Sequence, residues 1–205
     1  SLTSLLGTRI RLAMLEDSKG RLSEAALETF VQESIPRLGR LRDHVHLQPG
    51  HSFLPFYVAH CVRKLCLLLE PKDKRGIPVE VLLLSSELAQ VFALAPEPPL
   101  DDDGNAAEDD ASSDEDNWFS LSAAIRVYRQ FLELDADQDG MLTAEELSRY
   151  GETLMTLTPA FVDRLFEVAN TFDGRLDYKG YLDFVICCEH RSHPNCMAYL
   201  FRVLD

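Results

Sequence analysis

Residues 135–146 constrain this chain more than any other segment, because acidic side chains alternate there with other residues around a central glycine. Asp135, Asp137 and Asp139 stand at the first, third and fifth positions, and Glu146 stands at the twelfth. Calcium is a hard cation that takes six to eight oxygen ligands, and carboxylates at this spacing can surround it. Gly140 permits the sharp turn that the loop needs, because a residue without Cβ tolerates positive φ. The segment therefore predicts a calcium-binding loop between two helices.

The remaining ligand positions match the EF-hand loop as well. Met141 would supply its backbone carbonyl, Thr143 a side chain that acts through a water, and Glu146 both carboxylate oxygens. We expect one calcium ion, with magnesium as a competitor and a dissociation constant of roughly 10⁻⁷ to 10⁻⁵ M or tighter. The alternative interpretation is an acidic turn whose metal site has decayed.

A second, partner loop is expected, because a single EF-hand leaves its inner face and its bridging strand uncovered. Aligning Gly174 with Gly140 places this loop at about 169–180 and brings Leu176 to the position of the core leucine, Leu142. We therefore predict that the two loops pair through a short β-bridge between Leu142 and Leu176.

The ligand set of the partner loop is broken. Ala169 and Thr171 occupy its first and third positions, and Gly180 stands where the bidentate glutamate belongs. We predict a structural hand that binds no calcium, while Asp173 and Asp177 leave weak ion binding open as an alternative.

Two more degenerate loops can be traced upstream, at 17–24 and 70–77. Neither has a working ligand set, and in the second Lys72, Lys74 and Arg75 would place cations at the ion site, where charge repulsion opposes a metal. The alternative for each loop is an ordinary helical hairpin with a glycine turn.

Apolar residues recur at helical spacing along the chain, without sustained strand alternation. Ser120 is predicted to cap a helix that begins at Leu121. Thr158 and Pro159 predict the start of another helix, whose core face would extend to Phe172. The expected fold class is all-α, built from EF-hand helix-loop-helix pairs with one intact calcium loop, several degenerate hands and minimal β-bridges.

The distribution of charge predicts the domain organisation. The 205 residues include 34 acids and 20 bases, which gives a net charge of −14. Nine of the acids and no base lie in residues 101–116, so segment 96–117 is predicted to be an acidic, disordered linker between domains 1–95 and 118–205. Such a charge disfavours nucleic acid and anionic membranes as partners. Because 201–205 echoes 131–135, the chain is expected to end at the start of a possible further hand.

No enzymatic motif is found in the sequence. It lacks a phosphate-binding glycine loop, a zinc-protease helix and a serine elbow, so we predict no catalytic residues. Cys187, Cys188, His190, His193 and Cys196 match no standard zinc spacing. Five cysteines cannot all pair, which favours a reducing compartment such as the cytoplasm.

Four segments carry a family resemblance. They are 117–120 (NWFS), 126–128 (RVY), 140–142 followed by 145–151 (EELSRYG), and 176–178 followed by 181–185 (YLDFV). Together they resemble the B'' regulatory subunits of protein phosphatase 2A, and the TONNEAU/FASS-type branch in particular. The similarity is dense from Asn117 to Asp205 and looser from about Leu12 to Leu94.

The resemblance implies a non-catalytic subunit that binds the phosphatase scaffold and catalytic subunits and directs them to phosphoprotein substrates, with calcium tuning assembly. It also implies a role in cytoskeleton organisation at centrosomes or microtubule arrays, and a nuclear location stays open. The alternative is a stand-alone EF-hand calcium sensor that binds a target helix. That class of sensor normally has several working loops and a methionine-lined groove, whereas this chain has one intact loop and four methionines.

Overall fold

The computed structural model describes residues 2–71, 75–95, 117–151 and 157–205. In these ranges the chain is helical, with two antiparallel two-stranded sheets, which confirms the all-α fold class with bridged EF-hand loops. The chain divides into two compact units, Ser1–Ile125 and Arg126–Asp205. None of the described helices combines the length and the apolar composition that crossing a bilayer requires.

The first unit contains a bridged pair of loops. Its elements are α1 (Leu2–Ala13), β1 (Arg21–Leu22), α2 (Glu24–Ser34), α3 (Leu54–Leu69), β2 (Ile77–Pro78), α4 (Val79–Leu83) and α5 (Ser86–Phe92), with 3₁₀ turns at Ile35–Arg37 and Val45–Leu47. Strands β1 and β2 are antiparallel, with Leu22 opposite Ile77, and both side chains are buried. The bridge joins the two upstream loops, so they form a degenerate EF-hand pair rather than separate hairpins.

The second unit contains the predicted calcium loop and its partner. Its elements are α6 (Leu121–Leu134), which begins in the first unit, β3 (Met141–Leu142), α7 (Ala144–Ser148), α8 (Pro159–Val168), β4 (Leu176–Asp177), α9 (Tyr178–Glu189) and α10 (Pro194–Leu204). Strands β3 and β4 are antiparallel, and Leu142 lies opposite Leu176. The predicted bridge between the two loops is therefore confirmed, with both leucines fully buried.

Aromatic rings from α6 and from the turn after α7 pack against α9, the helix that leaves the second loop. The Phe131 ring meets Tyr178 edge to face at 5.1 Å between centroids, and Tyr150 meets Phe184 in the same way at 5.0 Å. Ring pairs of this geometry contribute about 0.5–1.5 kcal/mol each beyond area burial. The cluster therefore holds the two hands of this unit together from the side of their helices.

The predicted helix starts are confirmed. The Ser120 hydroxyl accepts a hydrogen bond from Ala123 N–H at 3.1 Å, and Thr158 accepts from Phe161 N–H at 3.3 Å. The prediction for Phe172 was wrong, because its side chain is 61% exposed. Helix α8 ends at Val168, and Phe172 lies in the turn that follows rather than on a helical face.

The predicted acidic linker, 96–117, lies outside the described residues except for Asn117, and the domain division stays a prediction. Trp118 and Phe119, which were assigned to the second domain, pack within the first unit. The Tyr57 hydroxyl donates to the Phe119 carbonyl at 2.7 Å, and the Asn117 amide donates to the Gln90 carbonyl at 2.9 Å.

Candidate metal centre

Three carboxylates converge in the loop that follows α6. Asp135, Asp137 and Asp139 each offer an oxygen, and these oxygens lie within 4.8 Å of one another. Asp135 is buried, whereas the other two face the loop surface. The chain turns tightly before and after Asp139, because Gln138 and Gly140 adopt φ angles of 59° and 82°. Residues two apart in this turn therefore present their side chains to one point.

Backbone N–H groups hold these carboxylates in place. Asp135 accepts hydrogen bonds from the N–H groups of Asp139 (3.2 Å) and Gly140 (3.0 Å) through its two oxygens. Asp137 also accepts from Asp139 N–H at 3.2 Å, and Asp139 accepts from Met141 N–H at 2.8 Å. The carboxylates thus have little freedom to turn away from the loop, which preorganises them for a cation.

Glu146 joins the two ends of the loop. Its carboxylate accepts from Ala136 N–H at 2.9 Å on one side and from the N–H and hydroxyl of Thr143 at 2.9 Å on the other. Thr143 in turn caps α7 by accepting from Glu146 N–H at 3.2 Å, so the pair forms a capping box. Burial alone would raise the pKa of Glu146, but the hydrogen bonds from Thr143 and Ala136 outweigh it and hold this pKa below its ordinary value.

The structure thus brings together the side chains of Asp135, Asp137 and Asp139 at one point and those of Thr143 and Glu146 at the loop exit. Met141 begins β3, between these two groups. The donor set is made of hard oxygens, several of them charged, on a backbone with the turn that an EF-hand loop requires, and it fits a calcium ion. The six residues stay predicted ligands.

Two arginines near the loop make contacts that were not predicted from the sequence. Arg149, which follows the last residue of α7, donates to the carbonyl of Leu134 at 2.6 Å and so caps the end of α6. Arg175, in the partner loop, donates to the carboxylate of Asp139. The signal for Arg175 was its position next to Leu176, since the pairing of Leu176 with Leu142 brings that residue close to the calcium loop.

The partner loop has a different backbone. Phe172 and Arg175 exchange two backbone hydrogen bonds, at 2.8 and 3.0 Å, around Asp173 and Gly174, whose φ angles are 52° and 72°. This is the two-residue turn of a tight hairpin rather than an open ion loop. Asp177 is used as a helix cap, because it accepts from Gly180 N–H at 2.8 Å.

The cysteines and histidines between Cys187 and Cys196, whose spacing matches no standard zinc site, do not assemble into a ligand group. In the described part of the chain, the one grouping of three or more His, Cys, Asp or Glu ligand atoms is that of Asp135, Asp137 and Asp139. Cys187 and Cys196 are both fully buried, and burial raises the pKa of Cys188 to about 11. These thiols behave as core side chains.

Comparison with known proteins gives a consistent result over almost the whole chain. No family model matches. The gamma-type B'' regulatory subunits of serine/threonine-protein phosphatase 2A from Danio rerio and from Homo sapiens are each 41% identical over 199 residues, which cover 97% of this chain and 40% of theirs. TON2 of Arabidopsis thaliana, named as a probable regulatory subunit of the same B'' type, is 31% identical over 212 residues, with 98% of this chain and 41% of that protein covered. The chain therefore spans about two fifths of the length of these relatives.

The fold is shared with a solved structure. A chain of a PP2A PR70 holoenzyme described as diCa superimposes with a TM-score of 0.71, at 20% sequence identity, over 97% of this chain and 68% of that one. At this level of identity the likeness shows the arrangement of the helices and loops.

Proposed function

We propose that this chain belongs to a non-catalytic subunit that binds the scaffold and catalytic subunits of protein phosphatase 2A and directs them to phosphoprotein substrates. The premise is that the chain is a homologue of the B'' regulatory subunits of this phosphatase. The observation that carries the proposal is 41% identity across 97% of the chain to proteins named as regulatory subunits. The resemblance predicted from the four sequence segments is thereby confirmed. The shared fold with a chain of a phosphatase holoenzyme agrees with it.

A pull-down tests this part of the proposal. Purified scaffold and catalytic subunits are mixed with the tagged chain, once in calcium and once in chelator, and the bound fractions are compared. We expect both subunits to co-purify in at least one metal state. Failure in both states, by a chain that still binds calcium, would instead support a stand-alone calcium sensor.

We further propose that the loop binds one calcium ion, with magnesium as a competitor. Carboxylates of Asp135, Asp137 and Asp139 would hold it from one side and Glu146 from the other. The carbonyl of Met141 and a water held by Thr143 would complete the shell. The ion would supply a fixed positive charge that ties the end of α6 to the start of α7. The support is the convergence of three carboxylates within 4.8 Å and the contact of Glu146 with both ends of the loop.

Calorimetric titration tests the site. We expect one site for the wild type and at least about tenfold weaker binding for Glu146→Gln, because the amide cannot act as a charged bidentate ligand. Glutamine is preferred to alanine because it can still close the capping box, whose loss would disturb the fold separately. Asp173→Asn, in the partner loop, is the matched control and should leave binding unchanged. Two tight sites, or an unaffected Glu146→Gln, would contradict the assignment.

The cellular location is also a proposal. We propose that the complex works in the cytoplasm, where it organises the cytoskeleton at centrosomes or microtubule arrays. The nucleus is an alternative location. Its support is the family resemblance, including the similarity to TON2. Imaging of the tagged full-length protein in dividing cells tests it, and a diffuse signal at every stage of the cell cycle would contradict it.

A further inference from the structure

A cation from the partner loop reaches the calcium loop. The guanidinium of Arg175 donates to one carboxylate oxygen of Asp139, whose other oxygen accepts from Met141 N–H. Asp139 is one of the three converging carboxylates. The two side chains are partly exposed, at 39% for Arg175 and 28% for Asp139. The partner loop therefore places a positive charge on a predicted calcium ligand of its neighbour.

The position of Arg175 is fixed by the fold rather than by its own flexible side chain alone. On one side its backbone exchanges two hydrogen bonds with Phe172 across the tight turn. On the other side Leu176 follows directly and pairs with Leu142 in the β-bridge. The backbone from which the guanidinium extends is thus held between two sets of hydrogen bonds, next to the loop that contains Asp139.

We propose that Arg175 is an internal competitor that sets the calcium affinity of the 135–146 loop. This inference rests on the proposed calcium site. Calcium and the guanidinium both need the Asp139 carboxylate, and two cations so close together repel each other. Binding of the ion therefore requires Arg175 to release Asp139 or to stay beside a divalent charge, and either event weakens the affinity. In this way the hand without a ligand set tunes the hand that has one.

The expected size of the effect follows from the exposure of the pair. A partly exposed ion pair such as Arg175–Asp139 contributes little free energy on its own. Repulsion between the guanidinium and the divalent ion adds to the free energy that opposes calcium binding. We expect removal of the Arg175 charge to tighten calcium binding by about three- to tenfold at low ionic strength. In about 1 M salt the screening length falls to about 3 Å, and the gain should shrink to less than about twofold.

Calcium titration of four proteins tests the proposal. They are the wild type, Arg175→Gln, Arg175→Lys and Arg164→Gln, each measured at low and high salt. Arg164 is the matched control, because it is a partly exposed arginine of the same unit whose ion-pair partner is Glu167 rather than a loop residue. Arg175→Gln should bind more tightly than the wild type, Arg175→Lys should stay close to the wild type, and Arg164→Gln should not change.

The possible failures are distinguishable. A wild type that binds no calcium overturns the proposed metal site itself. A wild type that binds calcium, with Arg175→Gln no tighter than Arg164→Gln, leaves the site in place and overturns the role of Arg175. An equal gain in both variants has the same consequence, since it shows only an effect of net charge. Thermal unfolding in chelator gives a second readout. Arg175→Gln removes a cation beside three converging carboxylates that repel one another, whereas Arg164→Gln removes only a pairing with Glu167, so the midpoint should fall further in Arg175→Gln.

Discussion

The rings of His60 and Trp118 stack in parallel, with centroids 4.2 Å apart and an interplanar angle of 7°. Each residue also hydrogen-bonds the backbone of the other: the Trp118 indole N–H donates to the His60 carbonyl at 3.1 Å, and His60 Nε2–H donates to the Trp118 carbonyl at 2.8 Å. Both side chains are buried. This double contact fixes the segment before α6 on α3, within the first unit.

Trp118→Ala should therefore destabilise the first unit strongly. Truncation of a buried tryptophan costs about 3–5 kcal/mol, because it leaves a cavity and, here, a histidine without its stacking partner. Urea unfolding followed by far-ultraviolet circular dichroism measures the loss, since Trp118 is the single tryptophan and cannot serve as a fluorescent probe once replaced. Leu132→Ala removes an apolar side chain that is 49% exposed and should change stability by less than about 0.5 kcal/mol. Similar losses in the two variants would contradict the packing of Trp118.

Sequence reasoning located the upstream loops but left open whether they were EF-hands or hairpins. A glycine followed by an aliphatic residue occurs both in EF-hand loops and in ordinary helical hairpins, so this short sequence pattern does not distinguish the two structures. The deciding contact is the pairing of Leu22 with Ile77, which are far apart in the chain. Hydrophobic periodicity shows that each residue is buried but does not identify the partner across the bridge.

Gly76 should tolerate alanine much less well than Gly50 does. The two glycines have almost the same φ, 89° and 88°, so both substitutions carry the backbone cost of a left-handed conformation, about 1–2 kcal/mol. A Cβ on Gly76 would also lie 2.5 Å from the carbonyl oxygen of Leu22, whereas a Cβ on Gly50 meets nothing within 4 Å. Chemical unfolding of both variants isolates the clash at the bridge. Equal losses would show that the two upstream loops do not approach so closely.

At the candidate site, the spacing of residues was enough to predict the loop, because each ligand position is defined within twelve consecutive residues. The roles of Arg175 and Phe172 could not be predicted in the same way. Arg175 stands at the seventh position of the partner loop, where Met141 stands in the calcium loop. In a working hand this position contributes only its backbone carbonyl to the ion, and the direction of its side chain depends on the partner loop. Phe172 is exposed because the tight turn with Arg175 reverses the chain. The Asp173-Gly174 pair favours such a turn, and the helical pattern should have ended before it.

Asp17 should make stability depend on pH in the acid range. Its carboxylate accepts hydrogen bonds from the N–H groups of Arg21 (2.9 Å) and Lys19 (2.8 Å), which lower its pKa in the folded protein. A depressed pKa stabilises the fold above the unfolded value of about 3.9, and this contribution is lost as pH falls through the folded pKa. The melting temperature of Asp17→Asn should therefore lie below that of the wild type at pH 7 and converge with it in acid.

Calorimetric melting from pH 7 to pH 2.5 measures that convergence. Asp43→Asn removes the same charge from an exposed aspartate that pairs with the adjacent Arg42, and it serves as the control. A gap between Asp17→Asn and the wild type that stays constant across this range would contradict the role of the Asp17 carboxylate.

Restoring a glutamate at the twelfth position of the partner loop should not create a second calcium site. A Cβ on Gly180 would lie 2.4 Å from Cδ1 and 3.0 Å from Cγ of Leu176, which is fully buried opposite Leu142. Even Gly180→Ala should therefore destabilise the protein, by about 1–3 kcal/mol, although alanine normally stabilises a helical position relative to glycine. Thermal unfolding of Gly180→Ala measures the first effect, and calcium titration of Gly180→Glu measures the second. A more stable Gly180→Ala, or two calcium ions bound by Gly180→Glu, would contradict the view that this hand is closed to metal by its own packing.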